Sequence, residues 1–203
     1  MDSAIRLSYS SLADRYIEVC GSLGEVDPAD LEFLERNLGD CDGVVIDAGC
    51  GPGHLTEYLT DLGVATRGID LVPEFIEYAR SRRPDIDYQV GSMHTLDLPD
   101  GSLHGILTWF SLIHCDPSEL ADAFTRLRRA LHQDGTLVVG FFEGDRVEPF
   151  EHKVTTAYRW PIDDMNALLA AAGFTEVDRC QRAATEKMRA VAALAVRPAP
   201  RAR

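Results

Sequence analysis

An apolar run and an amphipathic helix meet in the stretch Val44-Val45-Ile46-Asp47-Ala48-Gly49-Cys50-Gly51-Pro52-Gly53-His54-Leu55, which decides the fold. Its β-branched start predicts a buried strand, and the large side chains that follow recur at the spacing of one buried helical face. Three glycines lie in the turn between them. Glycine adopts unusual backbone angles and lets the main chain approach a ligand, while the amide N–H groups at a helix start point toward that ligand. The stretch therefore predicts a strand–loop–helix cradle for a nucleotide-like cofactor.

The spacing of the three glycines narrows the choice of cofactor. A dinucleotide fingerprint, G-x-G-x-x-G, needs glycine at position 54, where this chain has His54. The third glycine, Gly53, comes one residue earlier. This spacing disfavours a nicotinamide dinucleotide cofactor and therefore an enzyme that transfers hydride. A second strand-like run ends at Asp70, about 20 residues after Gly49, and an acidic side chain at that place binds ribose hydroxyls in doubly wound folds. Asp70 indicates a ribose but does not by itself separate the two cofactors.

Extended and helical patterns alternate along the chain. The extended patterns lie at 44–46, 64–70, 86–90, 103–110, 135–142, 174–182 and 188–196. Such alternation is typical of a mostly parallel sheet with helices on both faces. The expected fold class is therefore α/β.

Four ordered matches indicate a family. Asp47 followed by the compact G-x-G-x-G resembles motif I of the class I S-adenosylmethionine-dependent methyltransferases. Residues 96–102 are similar to the L-P-x-x-D-x-S-F-D stretch of that family, residues 127–135 to its R-x-L-K-P-G-G, and residues 171–174 to its A-G-F. These matches extend over most of the chain. The subgroup it resembles is that of small-molecule methyltransferases related to the ubiquinone and menaquinone biosynthesis enzymes.

The resemblance implies an architecture and a division of the chain. It implies a Rossmann-like, doubly wound, seven-stranded sheet of order 3-2-1-4-5-7-6, in which strand 7 is antiparallel. A single class I methyltransferase domain would extend over residues 1–203. Its parts would be an N-terminal helical lid (1–40), a cofactor-binding core (41–142), an acceptor loop (143–160), and a C-terminal helix and hairpin (161–197).

The resemblance also implies the cofactor, S-adenosyl-L-methionine, with S-adenosyl-L-homocysteine as its product. The expected cofactor-binding residues are Tyr16, Asp47, Ala48, Gly49, Cys50, Gly51, Gly53, His54, Leu55, Asp70, Leu71, Ser92, Met93, Phe110 and Ser111. Ser92 stands where the subgroup often has an Asp that binds the adenine amino group, so that contact is weakened here. For Tyr16, the alternative is that it only fills the apolar face of a helix packed on the sheet.

The candidate catalytic residue is His114, which follows the fourth strand. By analogy with the family it lies on the cofactor side, where it would act as a base or orient the acceptor. Histidine titrates near neutral pH, which suits that role. A capping or packing histidine beside Asp116 is the alternative.

The segment 143–160 is too long and too polar for a simple connection, and long loops at the carboxyl ends of parallel strands commonly carry function. We expect it to line the acceptor pocket together with the N-terminal helix. Its candidate contacts for an anionic or aromatic acceptor are Arg146, His152, Lys153, Tyr158, Arg159 and Trp160. A surface loop without this role is the alternative.

The composition disfavours several other partners. A net charge of −13 over 203 residues argues against nucleic acid, because phosphate contacts need clustered Lys and Arg. The sequence has neither a signal-like start nor a run of about 18 apolar residues, so we expect no membrane span and a cytoplasmic location. The five cysteines lack the spacing of metal ligands, so we expect no metal site. The oligomeric state stays open.

The expected function is methyl transfer to a small-molecule acceptor by in-line displacement. This chemistry asks little of the protein, because the cofactor already carries a methyl group on a cationic sulfur. Two alternatives stay open, namely a non-catalytic cofactor-binding or scaffolding relative and a nicotinamide-dependent enzyme.

Overall fold

A computed structural model describes residues 2–93, 95, 98–186 and 188–200. Leu96 and Asp97, which begin one of the family matches, lie outside these residues. The helices are α1 (Asp2–Ser10), α2 (Ala13–Cys20), α3 (Pro28–Leu38), α4 (His54–Asp61), α5 (Pro73–Arg82), α6 (Pro117–Ala130) and α7 (Ile162–Ala171). The strands are β1 (Val45–Ala48), β2 (Thr66–Asp70), β3 (Asp87–Val90), β4 (Leu103–Trp109), β5 (Leu131–Glu143), β6 (Glu148–Phe150), β7 (Ala157–Trp160), β8 (Phe174–Arg182) and β9 (Val191–Pro198). No helix in the described ranges is long and apolar enough to cross a bilayer.

These strands form one mixed sheet. The strands β3, β2, β1, β4 and β5 lie side by side in that order, and each neighbouring pair is parallel. Strand β9 pairs antiparallel with β5, and β8 pairs with β9. Because β8 and β9 correspond to the sixth and seventh predicted strands, the predicted order 3-2-1-4-5-7-6 with an antiparallel seventh strand is confirmed.

Two short strands, β6 and β7, lie within the segment 143–160 and were not predicted from the sequence. Strand β7 pairs parallel with the end of β5, and β6 pairs antiparallel with β7. Phe142 of β5 is in register with both Arg159 of β7 and Val191 of β9. Strands β7 and β9 must therefore lie on opposite edges of β5, which places β7 on the β4 side, just beyond the point where β4 ends.

The sheet separates two apolar layers. Consecutive side chains of a strand point to opposite faces, and the central strands use both faces. Val45 and Leu107 pack with the buried side chains of α3 and α4. Their chain neighbours Ile46 and Ile106 pack with those of α6 and α7. The burial of both faces explains why the central strands read as continuous apolar runs.

The N-terminal segment forms two short helices with a break between them. The Ser11 hydroxyl donates to the Ser8 carbonyl at 2.8 Å, and the Leu12 N–H bonds to the Tyr9 carbonyl, only three residues back. Serine side chains that bond to nearby carbonyls compete with the regular helical pattern. Across the break, the Tyr9 ring of α1 and the Tyr16 ring of α2 lie edge to face, with centroids 5.5 Å apart.

Candidate functional site

A cleft lies at the carboxyl ends of β1 and β4, where the strand order reverses direction. Ligands bind at such switch points in open α/β sheets. The cleft is partly open to solvent, and its empty space of about 750 Å³ includes this open part. It brings together many of the predicted residues, namely Tyr16, Gly49, Gly51, Asp70, Leu71, Ser92, Met93, Phe110, Ser111 and His114.

The glycine loop has the close backbone approach that its sequence predicts. Gly49, Gly51 and Gly53 all have positive φ angles, of 86°, 53° and 91°. A Cβ atom on Gly49 would lie 2.2 Å from the Cβ of Ser111, so no other residue fits there. A Cβ on Gly51 would project toward the Tyr16 ring, at 3.9 Å. The loop therefore leaves the cleft open only because these side chains are absent.

Asp70 holds this loop as well as facing the cleft. One carboxylate oxygen accepts the Gly51 N–H at 2.8 Å, and the other accepts the Val72 N–H at 2.9 Å. Burial raises the pKa of Asp70, and the backbone donors from Val72, Gly51 and Leu71 counter that rise. A carboxylate has about four acceptor sites, so Asp70 keeps acceptor capacity for a hydroxyl group of a ligand.

Six predicted cofactor residues are not among those that line the cleft: Asp47, Ala48, Cys50, Gly53, His54 and Leu55. Asp47 is 1% exposed and accepts the Thr56 hydroxyl at 2.7 Å, so it ties β1 to α4. Burial raises the pKa of Asp47 to about 7. The Cys50 and Leu55 side chains pack in separate apolar clusters. Contact of these six residues with a cofactor stays a prediction.

Helices α1 and α2 cover the cleft with aromatic rings. Tyr9 and Tyr16 both contact Phe75 of α5, with centroids 6.2 and 5.1 Å away. The residues predicted from the sequence included neither Tyr9 nor Phe75. Tyr9 lies seven residues before Tyr16, and because the helix is broken between them, helical spacing alone does not place Tyr9 in the site. At the start of α1, Asp2 accepts a hydrogen bond from the Ser92 hydroxyl. The N-terminal segment thus brings a carboxylate next to Ser92, which no local pattern indicated.

His114 is held at both ring nitrogens. Its Nδ1 lies 2.8 Å from the Thr156 carbonyl oxygen, and its Nε2 lies 2.9 Å from the Tyr9 hydroxyl. Next to it, the Ile113 carbonyl accepts the Tyr158 N–H at 2.9 Å. His114 is 8% exposed, and burial lowers its pKa while the Thr156 carbonyl raises it. The backbone of segment 143–160 therefore orients the candidate base.

None of the candidate acceptor residues in segment 143–160 is among the residues that line the cleft. Arg146 and Arg159 both contact Glu148, the Tyr158 hydroxyl donates to Asp116, and Trp160 packs in the core. His152 differs, because its ring centroid lies 5.4 Å from that of His114 and 5.8 Å from that of Phe142. Burial lowers the pKa of His152 to about 4, helped by nearby positive charges.

The electrostatics of the cleft suit a cationic ligand. Asp2 and Asp70 line it, and no Lys or Arg does so among the described residues. The Ser111 hydroxyl is buried there without a hydrogen-bond partner in the described part of the chain. Buried polar groups are normally satisfied, so Ser111 points to a polar ligand. Together with the glycine loop, these features fit a nucleoside that carries a positive charge.

Comparisons with known sequences find methyltransferases among the proteins that this chain resembles. Residues 45–135 match the model of a methyltransferase domain. A malonyl-[acyl-carrier protein] O-methyltransferase from Yersinia pestis is 27% identical over 66% of this chain and 49% of its own length. A ubiquinone biosynthesis O-methyltransferase from Xanthomonas oryzae is 30% identical over 59% of this chain and 54% of its own length. The chain thus spans about half the length of these curated relatives.

A solved structure has the same fold over nearly the whole chain. The 1,6-didemethyltoxoflavin-N1-methyltransferase of Burkholderia thailandensis, crystallised with S-adenosylhomocysteine and 1,6-didemethyltoxoflavin, superposes with a TM-score of 0.82 at 22% identity. The superposition covers 98% of this chain and 88% of that one. The [4+2]-cyclase SpnF shares the fold with a TM-score of 0.81 at 15% identity, over 98% of this chain and 97% of its own. The matched domain, the sheet order and these relatives support a class I S-adenosylmethionine-dependent methyltransferase.

Proposed function

We propose that this chain transfers the methyl group of S-adenosylmethionine to a small-molecule acceptor by in-line displacement. The observation that carries the proposal is that the glycine loop, Asp70 and the His114 imidazole line one cleft. A relative named as a ubiquinone biosynthesis O-methyltransferase, and a structural neighbour crystallised with a small heterocycle, support a small acceptor.

The cofactor would lie between the glycine loop and the N-terminal helices. Asp70 accepts hydrogen bonds from the ribose with its remaining acceptor capacity, and backbone amides of the loop face the amino-acid end. Ser92 and Met93 face the adenine, with Leu71 on one side of the ring. When bound, S-adenosylmethionine supplies a methyl group on a cationic sulfur, and the carboxylates that line the cleft stabilise that charge.

The acceptor would lie on the His114 side of the cleft. A neutral imidazole with a free lone pair can take the proton that a hydroxyl or N–H acceptor loses. Within the N-terminal region 1–40 we assign α1 and α2 as the lid, because they cover the cleft, and we assign residues 143–160 as the acceptor side, because their backbone orients His114.

A non-catalytic or differently catalytic relative is the second candidate. The observation that favours it is the close fold match to a protein whose title names it a cyclase, since a fold can carry several reactions. The two candidates make different predictions about turnover but the same prediction about cofactor binding.

Calorimetry tests the proposal first. S-adenosylhomocysteine should bind and raise the melting temperature, whereas NAD should do neither, because a ligand that binds only the folded state stabilises it. Formation of S-adenosylhomocysteine from S-adenosylmethionine is then measured with a panel of hydroxyl, amine and carboxylate acceptors. Turnover supports the transferase. Binding without turnover across the panel supports the second candidate, and binding of NAD instead contradicts both.

A further inference from the structure

The two contacts of His114 define which nitrogen carries its proton. The Thr156 carbonyl oxygen can only accept, so Nδ1, at 2.8 Å, must be the donor. In a neutral imidazole the other nitrogen, Nε2, then carries the lone pair. Burial lowers the pKa of His114, so the neutral ring is the form that persists near neutral pH. His114 therefore presents a hydrogen-bond acceptor to the cleft.

The group that occupies this acceptor is a phenol. The Tyr9 hydroxyl lies 2.9 Å from Nε2 and must donate to it. Burial and the nearby Asp70 carboxylate raise the pKa of Tyr9, so the hydroxyl keeps its proton. The Tyr9 ring lies edge to face with the rings of Tyr16, Phe75 and His114, at centroid distances of 5.5, 6.2 and 5.6 Å. The site thus holds an aromatic ring whose neutral hydroxyl points at the candidate base.

The charges around Nε2 disfavour an anion at the same place. A carboxylate there would face a lone pair and share the cleft with Asp2 and Asp70, and no Lys or Arg is among the described residues that line it. Lys153 and Arg189 act on His152, beyond His114. A neutral group that can donate a hydrogen bond to Nε2 is therefore favoured at this place over an anion such as a carboxylate.

We propose that the Tyr9 hydroxyl holds the place of the acceptor's hydroxyl, so that the acceptor is a neutral aromatic alcohol that displaces Tyr9 from His114. This inference rests on the proposed function and specifies its substrate class. As the acceptor oxygen gains the methyl group, its O–H bond breaks and the proton passes to His114 Nε2. The electron pair of the broken carbon–sulfur bond stays on sulfur, so the products are an aryl methyl ether, a neutral thioether and an imidazolium.

The test uses the full chain labelled with ¹⁵N-histidine and saturated with S-adenosylhomocysteine. The probes are 4-methylphenol, 4-methylanisole and 4-methylbenzoate, together with the corresponding 2-naphthyl hydroxyl, methoxy and carboxylate compounds. The Nε2 resonance of His114, assigned with His114→Gln, reports what bonds to its lone pair. In Tyr9→Phe this resonance should move toward that of a free imine nitrogen and return when a hydroxyl probe binds.

Tyr9→Phe should also tighten the binding of at least one hydroxyl probe by about 2- to 10-fold, the scale of one competing hydrogen bond. The methoxy and carboxylate probes should not gain affinity. Tyr58→Phe, which removes a hydroxyl that donates to Glu35 and does not line the cleft, is the control and should leave hydroxyl-probe affinity within twofold.

Two results would overturn the inference. One is that the carboxylates bind as tightly as the matched hydroxyl compounds. The other is that neither hydroxyl compound moves the Nε2 resonance in Tyr9→Phe. Failure of the proposed function looks different, because S-adenosylhomocysteine would then not bind in calorimetry, whatever the hydroxyl probes do at His114 in the same protein.

Discussion

The Asp70 carboxylate accepts the Gly51 N–H at 2.8 Å, so the residue expected to bind the ribose also shapes the glycine loop. Its second oxygen accepts the Val72 N–H at the start of α5. Removal of the carboxylate would leave two buried donors without partners, and such groups cost about 1–3 kcal/mol each. Cofactor binding and local stability are therefore coupled through one side chain.

Asp70→Ala should weaken S-adenosylhomocysteine binding by about 1.5–3 kcal/mol, the scale of charge-assisted hydrogen bonds, and should also lower the melting temperature. Calorimetry and thermal unfolding measure the two effects. Asp87→Ala is the control, because Asp87 lies in an exposed ion pair with Arg67 at the start of β3. An unchanged dissociation constant in a stable Asp70→Ala protein would reject the ribose role.

Gly51→Ala should abolish most cofactor affinity, because the added methyl group would occupy space in the cleft. The new Cβ enters the cleft, and an intrusion of this size costs about 1–3 kcal/mol, or roughly 5- to 150-fold in affinity. The positive φ of 53° adds a backbone cost of about 1–2 kcal/mol to folding. Calorimetry with S-adenosylhomocysteine measures the first effect and thermal unfolding the second.

Gly101→Ala separates the two effects. Gly101 has a similar φ of 67°, but a Cβ there meets nothing within 4 Å. It should lower stability about as much as Gly51→Ala and leave affinity unchanged. Equal loss of affinity in both variants would mean that backbone strain, and not occupation of the cleft, weakens binding.

The parts of the structure that sequence reasoning found are those that local patterns encode. Alternation of apolar strands and helices predicts the parallel sheet, and the spacing from Gly49 to Asp70 reflects one strand–helix–strand unit. The positive φ angles of the glycine loop follow from the residue type itself. Each of these features depends on a few dozen consecutive residues.

The environment of His114 depends on residues far away in the chain. Tyr9 precedes it by 105 residues and Thr156 follows it by 42. The Thr156 contact uses a backbone carbonyl, so no side-chain pattern marks it. Phe110, with its positive φ of 54°, turns the chain after β4 toward the cleft, and Phe is a residue type for which this angle is not expected. Such features come from tertiary packing and were missed for that reason.

Asp47 should make the protein less stable as the pH rises. Its pKa is about 7 in the folded chain against an ordinary value of 3.8, so the folded state holds the proton more tightly. The stabilisation is complete below about pH 4 and is lost as the pH rises toward 7, a change on the order of 4 kcal/mol. Asp47→Asn stays neutral and should remove this dependence.

The measurement is urea unfolding at pH 5 and pH 8 for wild type, Asp47→Asn and a control at the exposed Asp42, Asp42→Asn. His54 and His152, whose pKa values are lowered to about 4, add an opposite slope below pH 6.5 that is common to all three proteins. The difference between wild type and Asp47→Asn isolates Asp47. A difference that does not change with pH would contradict the prediction.

Cofactor binding should protect the N-terminal helices from hydrogen exchange. The cleft is lined by Asp2, Tyr9 and Tyr16 of these helices. A bound cofactor would therefore contact α1 and α2 and reduce their local opening. Residues 5–20 should exchange more slowly in the presence of S-adenosylhomocysteine, while the hairpin of β8 and β9 should not change. Equal exchange of 5–20 with and without ligand would support simple packing on the sheet.

Segment 143–160 should be required for turnover but not for cofactor binding, because it orients His114 without forming the glycine loop. A Gly-Ser linker in place of 145–156 keeps a carbonyl at position 156 but loses its fixed direction, so the His114 tautomer should no longer be held. Turnover should fall by about a hundredfold or more, the usual contribution of a positioned base, with S-adenosylhomocysteine affinity kept. The same replacement over 145–149 alone leaves Thr156 and the Tyr158 contact in place and should retain most activity.

Rates are measured with an acceptor identified from the panel, and the ¹⁵N resonances of His114 report its tautomer independently. Full turnover in the longer replacement would move the acceptor site elsewhere in the cleft.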